Sequence, residues 1–545
     1  MLTGEHCLTM ESKRMRDRIW VNAKILTMDP LRPHVDAVLT AGERIVFTGS
    51  IEEVRSLARP GAQEIDLGGA FMIPGLNEAH NHMIMYGLAL DRIDCRYPGV
   101  ASIAQIVDLV RAKAASTPED EWIRARGYDD NKLDEKRHPS RQDLDAAAPN
   151  HPVVVVNGSG HMCVANSFAL RLAGIDHETA DPQGGHIVHD GNGEPTGLLQ
   201  ETAQRLLDPH IPETTIEDMV DALERISTAY TAAGITSSTT AGVNSEQEFA
   251  AHQLATERGV NRLRTYMMIG QPLLDVVDAL GIKTGFGDDM LRVGPAKFFA
   301  DGSLIGRTAA VFEPFLEDPR TDNLGLEMMP QEELDRVVKQ AHDAGFQVAT
   351  HAIGDRGIDM VMSAYERALD ANPRADARHR IEHCGICRPE FFSRMRKHNF
   401  IAVSQPIFLP EYGDGFIRHL GEERILLTYP FRTFLNADVH LVFSSDCPVS
   451  AFEPLKGIQA AVEEKTGSGA DYVPAEALSV HEAIRLYTVE GAYASFEDDR
   501  KGSIKPGYLA DFTILANDPA DGPASEIAQT PVLGTVIGGE FVYEA

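Results

Sequence analysis

The chain has 545 residues, 43% of them hydrophobic and 24% charged, and its 50 basic and 81 acidic side chains leave a formal net charge of −31. That length asks for one large domain plus an accessory one, and the composition excludes disorder, collagen and coiled coil as the main architecture. So acidic a surface repels phosphate backbones and anionic membranes, which argues against nucleic acid as a partner. No apolar run approaches the roughly 20 residues that span a bilayer, which argues against a membrane segment; Val153–Val156 has the length of a buried strand.

The first residues mix acidic and basic side chains and lack the apolar run of a secretory signal. Cys7, Cys95, Cys163, Cys384, Cys387 and Cys447 are too sparse for a disulfide framework, so a reducing, cytoplasmic setting is expected. Arg18–Met28 reads as a strand and Ala37–Phe47 as a hairpin turning at Gly42. Strands and helices then alternate, the signature of a parallel sheet. Candidate strands are Leu76–His82, Ile235–Thr240, Leu263–Ile269, Ala296–Asp301, Gln347–His351, Arg380–His383, Phe400–Gln405 and Val439–Ser445, with amphipathic stretches such as Glu332–Ala344 between them. Eight is the number that closes a barrel. A doubly wound open sheet is the alternative, but no Gly-rich dinucleotide fingerprint follows any of these strands. The first gap is too long for one helix, so residues from about 95 to 210 form an inserted subdomain, rich in turns at Asp181–Gly185 and Gly191–Gly197. The end returns to β structure at Ala510–Leu515 and Val532–Tyr543. The expected fold class is α/β: a (β/α)8 TIM barrel over residues 75–496, with a small β-sandwich domain built from residues 1–74 and 497–545.

His80 and His82 end the first barrel strand two residues apart, so both imidazoles project to one face. Two neutral imidazoles on one face suit zinc or a similar divalent ion. With 20 histidines in the chain about 0.7 such pairs arise by chance, so the pair is weak alone. His351, His383 and Asp446 strengthen it, because each also stands where an apolar strand stops, on the face where such barrels place their active sites. His379, four residues before His383, competes for that assignment. Lys297 lies within a barrel strand, where a buried ammonium is costly. Either it pairs with an acid such as Asp301, or CO2 converts its amine to an anionic carbamate able to bridge two metals. Cys384-Gly385-Ile386-Cys387 has no second pair and reads as incidental.

At this point the chain resembles a known family. Pro74-Gly75 through His80-Asn81-His82 is similar to the opening motif of the metal-dependent amidohydrolase superfamily. Lys297 to Ala309, His351 to Asp355, Arg380 to His383, Gln405-Pro406 and Ser445-Asp446 resemble its N-substituted formamide deformylase, or YtcJ-like, branch, and Gly502 to Asp511 resembles its C-terminal β motif. The resemblance runs from about residue 18 to 543. One departure is visible: Glu78 stands where the family usually has Asp, two residues before the first metal histidine. The resemblance implies two zinc ions, one held by His80, His82 and Asp446, the other by His351 and His383, with carboxylated Lys297 bridging them. It also implies a homodimer as the default assembly.

The reaction expected of this set is hydrolysis of a non-peptide C–N bond, in an amide or N-substituted formamide, by a metal-activated hydroxide. Asp446 is expected to take the water's proton and return it to the departing nitrogen, since an amide anion is a prohibitive leaving group. Tyr128, His161 and Arg307 are candidate substrate-binding residues, His161 also helping to polarise the carbonyl, and Met83, Met85 and Phe408 are candidates for an apolar pocket wall. A deaminase or lactonase on the same barrel, and a catalytically silent binding protein, are the alternatives, because fold and ligand set do not fix the substrate.

Overall fold

The computed structural model describes residues 17–130, 132–158, 162–316 and 322–545. Strands from both ends of the chain pair in one eight-stranded sheet, in the order Glu540–Glu544, Val532–Ile537, Phe512–Leu515, Gln63–Pro74, Asp17–Leu26, Ala37–Ala41 and Arg44–Gly49, with His34–Val35 on the side. The two-residue period sorts its side chains. Trp20, Val38, Met72, Phe512 and Val536 pack on one face. Ile19, Val21 and Leu39 pack on the other, with Val54 of the helix Ile51–Leu57. The hairpin turns at Gly42, whose φ of 58° is the left-handed conformation that glycine adopts without strain.

Gln63–Pro74 leads directly into the barrel. Its strands are β1 (Leu76–Asn81), β2 (Ile235–Val243), β3 (Arg264–Gly270), β4 (Leu291–Phe299), β5 (Val348–Ala352), β6 (Arg380–His383), β7 (Ile401–Ser404) and β8 (Leu441–Phe443). They pair in sequence order and all in parallel. The ends of the sheet meet: Asp446 N–H donates to the His80 carbonyl (2.8 Å) and His82 N–H to the Cys447 carbonyl (2.7 Å). Every residue of β6, β7 and β8 is buried, as strands covered on both faces require. Between β4 and β5 the helix Gln331–Asp343 buries Leu334, Val337, Val338 and Ala341, one stripe at helical spacing. β4 is displaced from its expected span. It starts at Leu291 and stops at Phe299, so Asp301 lies beyond the strand.

Contacts divide the chain into two compact units, one holding the terminal sheet and barrel (Met1–Tyr86 with Leu223–Ala545), the other Gly87–Ala222. The second unit has its own six-stranded sheet, in the order Gly185–His189, Pro195–Glu201, Met162–Ala165, Val153–Asn157, Ile123–Tyr128 and Ile93–Asp94. The helix Ile103–Ala114 covers one face, packing Ile106 and Val110 with Ile123, Ala125, Val153 and Val155. Among the described residues no helix is long and apolar enough to cross a membrane.

Candidate metal centre

The C-terminal ends of the barrel strands gather the candidate ligands. His80 Nε2 lies 3.5 Å and His82 Nε2 3.3 Å from Asp446 Oδ1, and His383 Nδ1 lies 3.9 Å from Asp446 Oδ2. The rings of His80 and His383 are 4.9 Å apart and those of His351 and His383 4.4 Å. One donor atom from each of His80, His383 and Asp446 falls within 4.8 Å of the other two, a spacing that a shared cation can close.

Three of the imidazoles have one nitrogen committed elsewhere. His80 Nδ1 meets the Glu382 carboxylate in a short contact. His383 Nδ1 donates to Gln405 Oε1 (2.9 Å), and His351 Nε2 donates to the Gly302 carbonyl (2.9 Å). The tautomers these bonds select leave a lone pair on Nε2 of His80 and His383 and on Nδ1 of His351. Backbone strain helps aim them. His383 (φ 70°) and Asp446 (φ 61°) are both left-handed, a conformation that costs a residue with a side chain of order 1 kcal/mol or more. At His383 the effect is specific. Strict alternation would send Glu382 and His383 to opposite faces of β6, yet both reach His80.

Burial keeps the imidazoles of His80, His351 and His383 neutral, the state that ligates metal. It holds His80 and His383 well below the usual histidine range, with neighbouring positive groups adding to the effect. His351 is pushed down to about 3 by burial and then by Lys297. Asp446 is raised by burial, against the pull of His82. Glu78 is pushed up to about 8 by burial; its Oε1 accepts the N–H groups of Ser445 (2.9 Å) and His80 (3.2 Å), tying the chain after β8 to β1 behind the ligands.

Lys297 is 2% exposed, and its Nζ has no hydrogen-bond partner among the described residues. Burial pulls it down to about 8, against the attraction of Glu382 and Asp446. The expected alternative, an ion pair with Asp301, is not formed. Asp301 sits past the end of β4 and spends its carboxylate on the N–H groups of Ile353 (3.0 Å), Gly354 (2.8 Å) and Ala310 (2.9 Å). The amine in question is that of Lys297. Its Nζ lies 4.9 Å from the centre of the Phe299 ring. A buried amine with a lowered pKa and no hydrogen-bond partner among the described residues is the form that adds CO2, so Lys297 fits a carbamate. The neutral imidazoles and the Asp446 carboxylate fit divalent ions of the zinc type.

Sequence reasoning missed Glu382 and Arg380. Both are fully buried, and Arg380 grips the Glu382 carboxylate through Nε (2.7 Å) and Nη2 (3.0 Å). The available signal was two opposite charges spaced i, i+2 on a strand too short and too buried to leave either in water. His379 is no part of the cluster; its ring contacts are His342 and Tyr365. Cys384 and Cys387 are buried free thiols with sulfurs 3.5 Å apart.

The candidate substrate residues are placed differently. Tyr128 is buried in the core of the second unit, its hydroxyl bonded to His138 Nδ1 (2.9 Å). Arg307 lies in the segment after β4, where its carbonyl accepts from Asn323 Nδ2 (2.8 Å). His161 lies outside the described residues. Of the apolar candidates, Met83 is buried, Met85 is half exposed, and the buried Phe408 ring stacks on His383 at 6.5 Å.

Residues 63–543 match the Amidohydrolase family. Protein LONG AFTER FAR-RED 3 of Arabidopsis thaliana is 32% identical over 98% of this chain and 93% of its own length. The N-substituted formamide deformylase of Arthrobacter pascens is 30% identical, over 97% of this chain and 99% of its own. The crystal structure of an uncharacterized metal-dependent hydrolase from Pyrococcus horikoshii aligns with a TM-score of 0.78 at 25% identity, covering 93% of this chain and 99% of that one. The full-length likeness joins the histidine–aspartate cluster at the barrel mouth, and the chain belongs to the amidohydrolase family of metal-dependent hydrolases, in the branch that holds the N-substituted formamide deformylase.

Proposed function

We propose that this chain hydrolyses a C–N bond beside a carbonyl, in a non-peptide amide or N-substituted formamide. His80, His82 and Asp446 would hold one zinc ion and His351 and His383 a second, with carboxylated Lys297 between them. Ions bound there supply Lewis-acid polarisation of a carbonyl and lower the pKa of water toward neutrality. The chain's own part is proton handling and orientation. Asp446, its carboxyl raised by burial, would take a proton from the attacking water and give it to the departing nitrogen. The neutral imidazoles keep cationic N–H groups out of the donor cluster. Phe299, 43% exposed with its ring 5.4 Å from that of His351, offers an apolar wall at the mouth. Arg307 and His161 are proposed to bind the substrate's polar end and Tyr128 to shape its site. The same reading takes a small amide as the working partner, a homodimer as the assembly and the cytoplasm as the location.

The observation that carries this reading is the buried Lys297 amine, without a hydrogen-bond partner among the described residues, beside the donor atoms of His80, His383 and Asp446 that lie within 4.8 Å of one another. The test is metal analysis of the purified protein, with 13C NMR after exposure to 13C-bicarbonate and a panel of N-substituted formamides, amides, lactones and aminopurines. Two metals per chain, a carbamate resonance and amine release from the formamides or amides are expected. Turnover confined to lactones, or ammonia released only from the aminopurines, would move the enzyme to its rival classes.

A further inference from the structure

His80 differs from the other two tethered histidines in what stands behind it. His383 leans on a neutral amide, and His351 hydrogen-bonds a backbone carbonyl with the Asp301 carboxylate farther off at 3.6 Å, whereas His80 Nδ1 makes its direct contact with a carboxylate. That carboxylate is fully buried, and so is its guanidinium partner Arg380. Arg380 does more than neutralise it, because the same Nη2 that reaches Glu382 Oε2 also donates to the carbonyl of Ala79 (2.7 Å), the residue before His80 in β1. One guanidinium from β6 therefore fixes the β1 backbone and the anion that touches the β1 histidine. A buried ion pair of this kind is seldom a gain in stability over packed apolar side chains, so its retention asks for another reason.

We infer that Glu382, clamped by Arg380, is a positioning residue for His80. It holds the ring in one orientation and keeps the proton on Nδ1, so that the Nε2 lone pair faces Asp446. Without an acceptor at Nδ1 the imidazole is free to rotate or to move its proton to Nε2, and either change turns an N–H toward the donor cluster. An anion behind an imidazole also strengthens the opposite nitrogen as a donor, and losing such a partner typically weakens metal binding roughly 10- to 100-fold. The inference rests on the metal-centre reading above and adds to it a residue outside the ligand set.

The test uses the full chain, stripped of metal and titrated with Zn2+ against a chromophoric chelator, and with Co2+ followed by its visible absorption. E382Q preserves volume and removes the charge. The expected results are a fall of roughly 10- to 100-fold in Zn2+ affinity and a displaced Co2+ spectrum. A merely structural role would not produce the third expected result, which is that E382Q costs no further affinity once His80 has been replaced in H80A. Wild-type affinity with an unchanged Co2+ spectrum would overturn the inference, as would an equal loss in the H80A background. Should E382Q fail to fold, E382D decides. It keeps the charge opposite Arg380 but shortens the reach, so several-fold weaker binding is expected and wild-type binding overturns the role. Failure of the underlying reading looks different: the wild type itself would take up no stoichiometric metal, or H80A would bind as tightly as wild type.

Discussion

His379 precedes β6 and His383 ends it, and the two show what one residue type does at opposite ends of a barrel. Both are buried, and burial holds both well below the usual histidine range. At the closed end every ring nitrogen is used. His379 Nδ1 accepts the Val348 N–H (3.0 Å), His379 Nε2 meets His342 Nδ1 (2.9 Å), and His342 Nε2 donates to the Asn372 carbonyl (2.7 Å). At the open end His80, His351 and His383 each spend one nitrogen on the protein; His80 and His383 cluster with Asp446, the His351 ring lies 4.4 Å from that of His383, and the buried Lys297 Nζ has no hydrogen-bond partner among the described residues. Satisfied polar groups at one end make a rigid floor. Unsatisfied ones at the other end, on strained backbone, store binding capacity.

The largest effect that can break this comparison is at Asp446. D446N is expected to lower kcat on an N-substituted formamide by about 10²- to 10⁴-fold, the usual reach of a general acid–base group. H379L, in steady-state assays at pH 7.5, should leave kcat within about twofold. Equal losses in the two variants would erase the distinction between floor and mouth. Next comes Lys297. K297M should abolish the carbamate resonance and reduce bound metal below two ions per chain by atomic emission, whereas H379L should change neither.

Stability sharpens the contrast from the other side. H379L strands His342 Nδ1 and the Val348 N–H, two buried groups, at a cost of about 2–4 kcal/mol in chemical denaturation. Its pH dependence has a definite sign. His342 and His379 have lowered pKa values in the fold, so the unfolded chain binds more protons below about pH 6.5. Their contribution is therefore complete above that pH and is lost as pH falls toward the folded-state values. Calorimetry between pH 7.5 and 5.5 should show the wild-type Tm falling and H379L falling less steeply. A wild-type Tm that rises on acidification would contradict the assignment. The smallest effect is Y365F. Tyr365 donates to the Arg380 carbonyl (2.7 Å) and takes the Thr350 hydroxyl (2.8 Å), and losing these bonds should cost about 1 kcal/mol with kcat unchanged.

The candidate ligands are legible in the sequence because His80, His82, His351, His383 and Asp446 each stand at or just past the end of an expected strand, and a strand end is a local feature. The eight barrel strands are legible for the same reason, their buried residues forming short runs between amphipathic helices. Glu382 is not. The two-residue period of β6 assigns it away from His383, and only the left-handed turn at His383 brings both to His80. Asp301 is misread as a partner for Lys297 when the end of β4 is set too late, and a residue beyond a strand answers to loop N–H groups rather than to the strand's interior.

Side-chain type and spacing along the chain determined the barrel, its strand count and which residues could bind metal, since periodicity and strand ends are encoded within a few residues of each other. Barrel closure decided which imidazole nitrogen stays free, that Lys297 Nζ has no hydrogen-bond partner among the described residues, and that Arg380 reaches from β6 to Ala79 on β1. Those facts depend on groups hundreds of residues apart meeting at fixed distances, and no local pattern records such distances.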